Sequence, residues 1–132
     1  MIMKTHLRDI NNRKDIELLV HCFYSKVNND SLLSPIFNEI AAVQWEHHLP
    51  LMYDFWSTML LGDKTYRGTP FSKHISLPIN RTHFERWLQL FLETVDELFS
   101  GQVAEEAKTR ARNISSVFQY KLEHIHANSP SF

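Results

Sequence analysis

Residues 45–56 read WEHHLPLMYDFW. Trp45, His48, Met52, Phe55 and Trp56, with Met59 beyond, repeat at spacings of three, four and seven. That is one stripe of an α-helix. The stripe is unusual in carrying an imidazole among large aromatic rings. Burying an imidazole costs free energy unless its nitrogens find partners. The spacing predicts a helix from about Glu46 to Leu61, with His48 near its start on the buried face. Pro50 is tolerated if it lies in the first turn, where a missing N–H costs nothing.

The same period extends outward in both directions. Between Asn12 and Asn28, Ile16, Leu19, Val20, Phe23, Tyr24 and Val27 form an amphipathic stripe, with Asn12 as N-cap. NNDSLLSPIF (28–37) reads as a loop with a short turn ending at Phe37, since Pro35 interrupts regular structure. Thr82 and Glu85 fit a capping box. Phe84, Trp87, Leu88, Phe91, Val95, Leu98 and Phe99 continue from it to a stop at Gly101. A last helix spans about 103–125, leaving HANSPSF (126–132) as a tail. Residues 62–81, GDKTYRGTPFSKHISLPINR, show no clear period. A stretch that long in a compact domain is usually functional or disordered, and Tyr66, Phe71, Ile75, Leu77 and Ile79 make it too apolar for disorder. It wraps something, with at most a short helix around His74. The expectation is an all-α single domain over 1–132, its core at about 12–125.

Composition limits the function. The chain has 132 residues, 43% hydrophobic and 22% charged, with 14 Lys and Arg against 15 Asp and Glu. That balance gives no electrostatic reason to expect nucleic acid or an anionic membrane. The N-terminal residues lack the apolar run of a signal peptide, and no segment approaches the roughly 18 apolar residues that span a bilayer. Cys22 is the one cysteine. It allows no internal disulfide and suits a reducing cytoplasm.

There are eight histidines, nine Phe, four Tyr and three Trp. Glu123-x-x-His126 is half of what a di-iron bundle needs, and no second pair exists. No HExxH, nucleophile elbow or phosphate loop is present. Cys22 lies beside the first stripe as a buried apolar residue. His124 and His126 sit at a helix end, where a cation is favoured. Haem remains. It needs a flat apolar slot and one imidazole, and aromatic helices with His48 on one side and His74 in a loop offer both. A lone histidine on an apolar face is nevertheless more often a hydrogen-bonded core residue.

The residues also carry a resemblance. F-Y at 23–24, S-P-I-F at 34–37, W-x-x-H-x-x-x-M-x-x-F-W at 45–56, Y-x-G-x-P-x-x-x-H-x-x-L-P at 66–78 and H-F-x-x-W-L-x-L-F at 83–91 resemble the bacterial truncated haemoglobins of group III. The likeness holds in order and spacing over roughly residues 16–122. The glycine pairs of groups I and II are missing. The resemblance implies a shortened globin, two helices on two, around haem b. It implies His74 as proximal iron ligand, and Tyr24, His48 and Trp87 as the distal groups facing the bound ligand. Phe23, Phe37, Met52, Phe55 and Trp56 match apolar pocket positions. Tyr66, Arg67 and Lys73 could reach the propionates, although basic residues near a loop are usually just solvated. His47 matches no functional position and belongs on the outer face.

Tyr and Trp donors aimed at a partially negative ligand atom hold it strongly in a dry pocket. That favours redox chemistry of dioxygen, nitric oxide or peroxide, in a peroxidase-like or nitric oxide dioxygenase-like activity fed by a reductase. Carbon monoxide and cyanide would bind the same iron. The alternatives are oxygen storage, transport or sensing without turnover, and a haem-free helical interaction module.

Overall fold

The computed structural model describes residues 7–40, 42, 44–64 and 79–128. Asn12 is extended (φ −152°, ψ 178°) and its side chain accepts the Asp15 backbone N–H, so α1 starts at Arg13 and runs to Asn28. The stretch expected to be a loop with a short turn is a turn through Leu33 and helical from Ser34 onward. Asp30 accepts the Leu32 and Leu33 N–H groups at 3.1 and 3.0 Å, and Ser34 N–H donates to the Asp30 carbonyl. A π-helical turn over Ile36–Ile40 follows. Pro35 does not prevent it, because at the start of a helical segment the missing N–H is not needed.

Helix α2 covers Trp45–Leu61 and contains Pro50. Pro50 lies in the second turn, not the first, and so forfeits a bond to the Glu46 carbonyl. Both residues are exposed, so water can satisfy that oxygen. The helix ends at Gly62, whose φ of 76° is the left-handed C-cap conformation.

Helix α3 covers Arg81–Leu98, and its cap is not the expected one. Asn80 occupies the N-cap, accepting from Thr82 N–H at 3.0 Å, while His83 Nδ1 accepts the Asn80 N–H at 3.1 Å. Asn caps at least as well as Thr, and here it leaves Thr82 inside the helix.

Helix α4 runs Gln102–Asn128, so it continues through part of the expected tail. Its N-terminus is capped from far away in sequence. The Asp9 carboxylate accepts the Val103 and Ala104 N–H groups at 2.9 and 2.8 Å. Gly101 permits this approach. It has φ +143°, and a Cβ there would lie 2.5 Å from Asp9 Cγ.

Helix α1 packs on α2 and on α3, and α3 packs on α4. The described residues contain no strand. The core gathers Ile16, Leu19, Val20, Phe23 and Val27 of α1, Trp56 of α2, Phe91 and Val95 of α3, and Ala104, Ala107 and Ala111 of α4. Small residues on α4 let that helix come close to the large rings. Ile10 is in this core at 1% exposure, so packing begins ahead of Asn12. Among the described residues no helix is long and apolar enough to cross a membrane.

Candidate functional site

Four elements meet here: the end of α1, the π turn and the starts of α2 and α3. Tyr24 comes from α1, Phe37 from the π turn, Trp45 and His48 from the first turn of α2, and Trp87 from the second turn of α3. Local interactions place them. Asp30 caps the turn that leads to Phe37 and also pairs with Arg86 Nε at 2.6 Å, tying that turn to the neighbour of Trp87. The Trp45 indole N–H donates to Asn38 Oδ1 at 2.8 Å, and Asn38 Nδ2 donates to Asn28 Oδ1 at 2.9 Å. The π turn is thereby pinned to both flanking helices.

The rings close around Tyr24. Its centroid is 5.3 Å from His48, 5.3 Å from Trp45, 5.8 Å from Phe37 and 4.7 Å from Phe23. Trp45 is edge-on to His48 at 5.4 Å and stacked on Phe37 at 5.8 Å. On the other side Phe23 meets Trp87 at 5.6 Å, and Trp87 stacks on Phe91 and Phe91 on Trp56.

Tyr24 is 5% exposed, so it is not a tyrosine whose hydroxyl rests in solvent. Burial pushes its pKa well above the ordinary tyrosine value, and the neighbouring Trp87 indole opposes this only partly. The indole has an N–H and no acceptor, so toward the Tyr24 oxygen it can act only as a donor. His48 is half-buried overall, but its Nε2 is shut off from solvent. Burial raises the pKa of Asp30, yet Arg86 and the two backbone N–H groups outweigh it and hold the carboxylate below its ordinary value.

Of the residues singled out in the sequence, Tyr24, His48, Trp87, Phe23 and Phe37 are thus brought to one place. Phe23 and Trp56 lie in the core at 0% and 2% exposure. Met52 and Phe55 are half-buried on α2, and His47 is exposed. Cys22 is half-buried, not fully buried. His124 is exposed and stacks on Tyr120. No cluster of potential metal ligands occurs among the described residues. His74, Tyr66, Arg67 and Lys73 lie outside the described residues. Trp45 belongs to the ring cluster although sequence reasoning gave it no part in the site. Its signal was its place three residues before His48 on the same stripe.

The described residues thus define a small all-helical protein with a Tyr, a His and Trp side chains gathered in one aromatic cluster. Comparison with known proteins is consistent with that class. The family model described as bacterial-like globin matches residues 8–120. The group 3 truncated haemoglobin ctb of Campylobacter jejuni is 36% identical over 115 residues, 84% of this chain and 91% of that protein. The crystal structure of the group III truncated haemoglobin from Campylobacter jejuni superposes with a TM-score of 0.78 at 36% identity, covering 86% of this chain and 92% of that one. The group 1 truncated haemoglobin GlbN of Nostoc commune is 31% identical over 84 residues, 63% of this chain and 69% of that protein. The chain belongs to the bacterial-like globins, and among them to the truncated haemoglobins of group III. Haem and the binding of small diatomic gases such as oxygen follow as general properties of the globin family.

Proposed function

We propose that the protein holds a b-type haem through His74 and uses Tyr24, His48 and Trp87 on the ligand side for redox chemistry of dioxygen, nitric oxide or peroxide. The gathering of the buried Tyr24 with His48 and Trp45 inside the ring cluster carries this reading. The residues present fit such a group, because the cluster consists of apolar rings and neutral hydrogen-bonding side chains. Bound haem supplies an iron that takes a diatomic ligand and can change oxidation state.

The chain's own residues then do the following work. Trp87 donates to the Tyr24 oxygen, and this leaves the Tyr24 O–H to donate to the ligand atom that carries partial negative charge. The donor is set in place before the ligand arrives, so little reorganisation is needed. Burial keeps Tyr24 neutral, which is the form that donates. His48 stands at the half-buried edge beside Tyr24. An imidazole there can open or close access, and can give or take a proton near neutral pH. Phe37, Trp45 and Phe23 exclude water. His74 rests on the sequence resemblance, as do Met52, Phe55, Trp56 and Tyr66 as contacts of the haem. A reductase must return electrons in any cycle that oxidises the iron. The reducing cytoplasm, suggested by the lone cysteine, is the natural place for it.

The test uses Tyr24→Phe and Trp87→Phe. Dioxygen dissociation should quicken in both, and steady-state turnover of nitric oxide or peroxide should change with it. Faster dissociation with no wild-type turnover to lose would favour storage or sensing instead.

A further inference from the structure

We propose that Trp45 is a one-electron oxidation site facing the surface, where a small phenol is oxidised while a hydroperoxide is reduced in the pocket. This rests on the haem reading above.

Tyrosine and tryptophan are the side chains that most readily give up one electron. Tyr24 lies inside, at 5% exposure, and two tryptophan branches leave it. One runs through Trp87 to Phe91 and Trp56, which are 0% and 2% exposed, so it ends in the core. The other is direct. The Trp45 ring lies 5.3 Å from the Tyr24 ring at 55°. Trp45 is half-buried, and its N–H donates at 2.8 Å to Asn38, which is exposed. Trp45 therefore joins the buried cluster to solvent. Tyr24 is a poor resting place for an electron vacancy. It is buried, and burial opposes loss of its proton. Trp45 instead is half-buried, and its Nε1 proton rests against the exposed Asn38 amide, from where it can pass to solvent once an electron is lost. The neutral Asn38 amide orients the indole without adding charge.

The balance is as follows. The hydroperoxide ROOH takes two electrons and two protons, its O–O bond breaks, and ROH and water leave. The electrons pass one at a time from Trp45, which releases its Nε1 proton to water at each step. A phenol ArOH then returns an electron to Trp45, its O–H proton goes to water, and Trp45 is reprotonated. The sum is one ROOH and two ArOH giving one ROH, one water and two ArO•.

The test uses the full chain loaded with hemin, one equivalent of hydrogen peroxide, a nitroso spin trap and peptide mass mapping, with guaiacol as the phenol. The expected adduct is on Trp45, and guaiacol suppresses it. Trp45→Phe, checked for an unchanged Soret band and helicity, loses the adduct, oxidises guaiacol several-fold more slowly and bleaches faster. Trp45→Tyr restores both an adduct at that position and guaiacol oxidation, which a packing role would not require. Adducts elsewhere with Trp45 unmodified overturn the proposal, as does guaiacol oxidation at the wild-type rate in Trp45→Phe. The wild-type map decides alone if Trp45→Phe does not fold. A Soret band with the wrong map overturns this site only. A wild-type chain with no Soret band overturns the haem reading and this site with it.

Discussion

Tyr24 and Trp87 cannot be treated as two independent donors. The indole N–H can donate to the Tyr24 oxygen, so removing Tyr24 frees Trp87 to turn toward the ligand itself. Removing Trp87 leaves Tyr24 unoriented. A hydrogen bond to a charged group contributes about 1.5–3 kcal/mol, and Tyr24→Phe should raise the dioxygen dissociation rate by about 10- to 150-fold, less whatever Trp87 recovers. Stopped-flow displacement by carbon monoxide on both single variants and the double variant measures the coupling. Additive effects would argue against the hydrogen bond. Tyr24 also carries a pH consequence. Burial raises its folded pKa above the unfolded value. Its stabilising contribution is thus complete below about pH 10, the ordinary tyrosine value, and declines as pH rises beyond it. Dioxygen dissociation should stay flat through pH 10, whereas an exposed tyrosine would break there. The sequence could place Tyr24 on the inward stripe of α1. It could not tell that the hydroxyl end is buried as well, because that depends on Trp87, which lies far along the chain.

Helix starts show how much is local. Asn12 caps α1 as its sequence suggests, since the partner N–H is three residues away. At the α3 start the sequence pattern pointed to Thr82, whereas the folded backbone puts Asn80 (φ −138°) at the cap. The cap of α4 was beyond reach of any local rule, because Asp9 reaches it across the fold. Losing such a cap costs typically about 1 kcal/mol, so Asp9→Ala should lower stability by about 0.5–2 kcal/mol in chemical denaturation. Gly101→Ala meets two penalties at once, a positive φ and the 2.5 Å approach to Asp9. It should cost about 1–3 kcal/mol for the backbone alone. If Gly101→Ala proved neutral, the Asp9 cap would not be formed in solution. The π turn was missed for a different reason. Pro35 signals a break, but a proline at a segment's start interrupts nothing.

Across the whole molecule, three acidic side chains tie segments together. Arg8 holds the buried Asp15 carboxylate below its ordinary pKa. Burial raises Asp30 and Asp9, but Arg86 in the first case and backbone N–H groups in the second outweigh it and depress both. Depressed carboxylates stabilise the fold above their unfolded value of about 3.9, and the contribution is lost as pH falls below it. Acid unfolding followed by circular dichroism should steepen below that pH, and Asp30→Asn should flatten part of the slope. The four-helix order was legible because the 3.6 period is strong in every helix. That Tyr24, His48 and Trp87 face inward was legible too, since each sits on such a stripe. Trp45 as a ring neighbour of Tyr24 was not, because contact between stripes of different helices needs the packed fold.

The central claim is a haem held by His74, and one measurement addresses it directly. The visible spectrum of the purified chain, ferric and dithionite-reduced, would be recorded beside His74→Ala with and without added imidazole. The expected result is a Soret band that His74→Ala loses or shifts and that imidazole restores. A chain that stays colourless and takes up no added hemin would contradict a haem site, and an unchanged Soret band in His74→Ala would contradict ligation by His74.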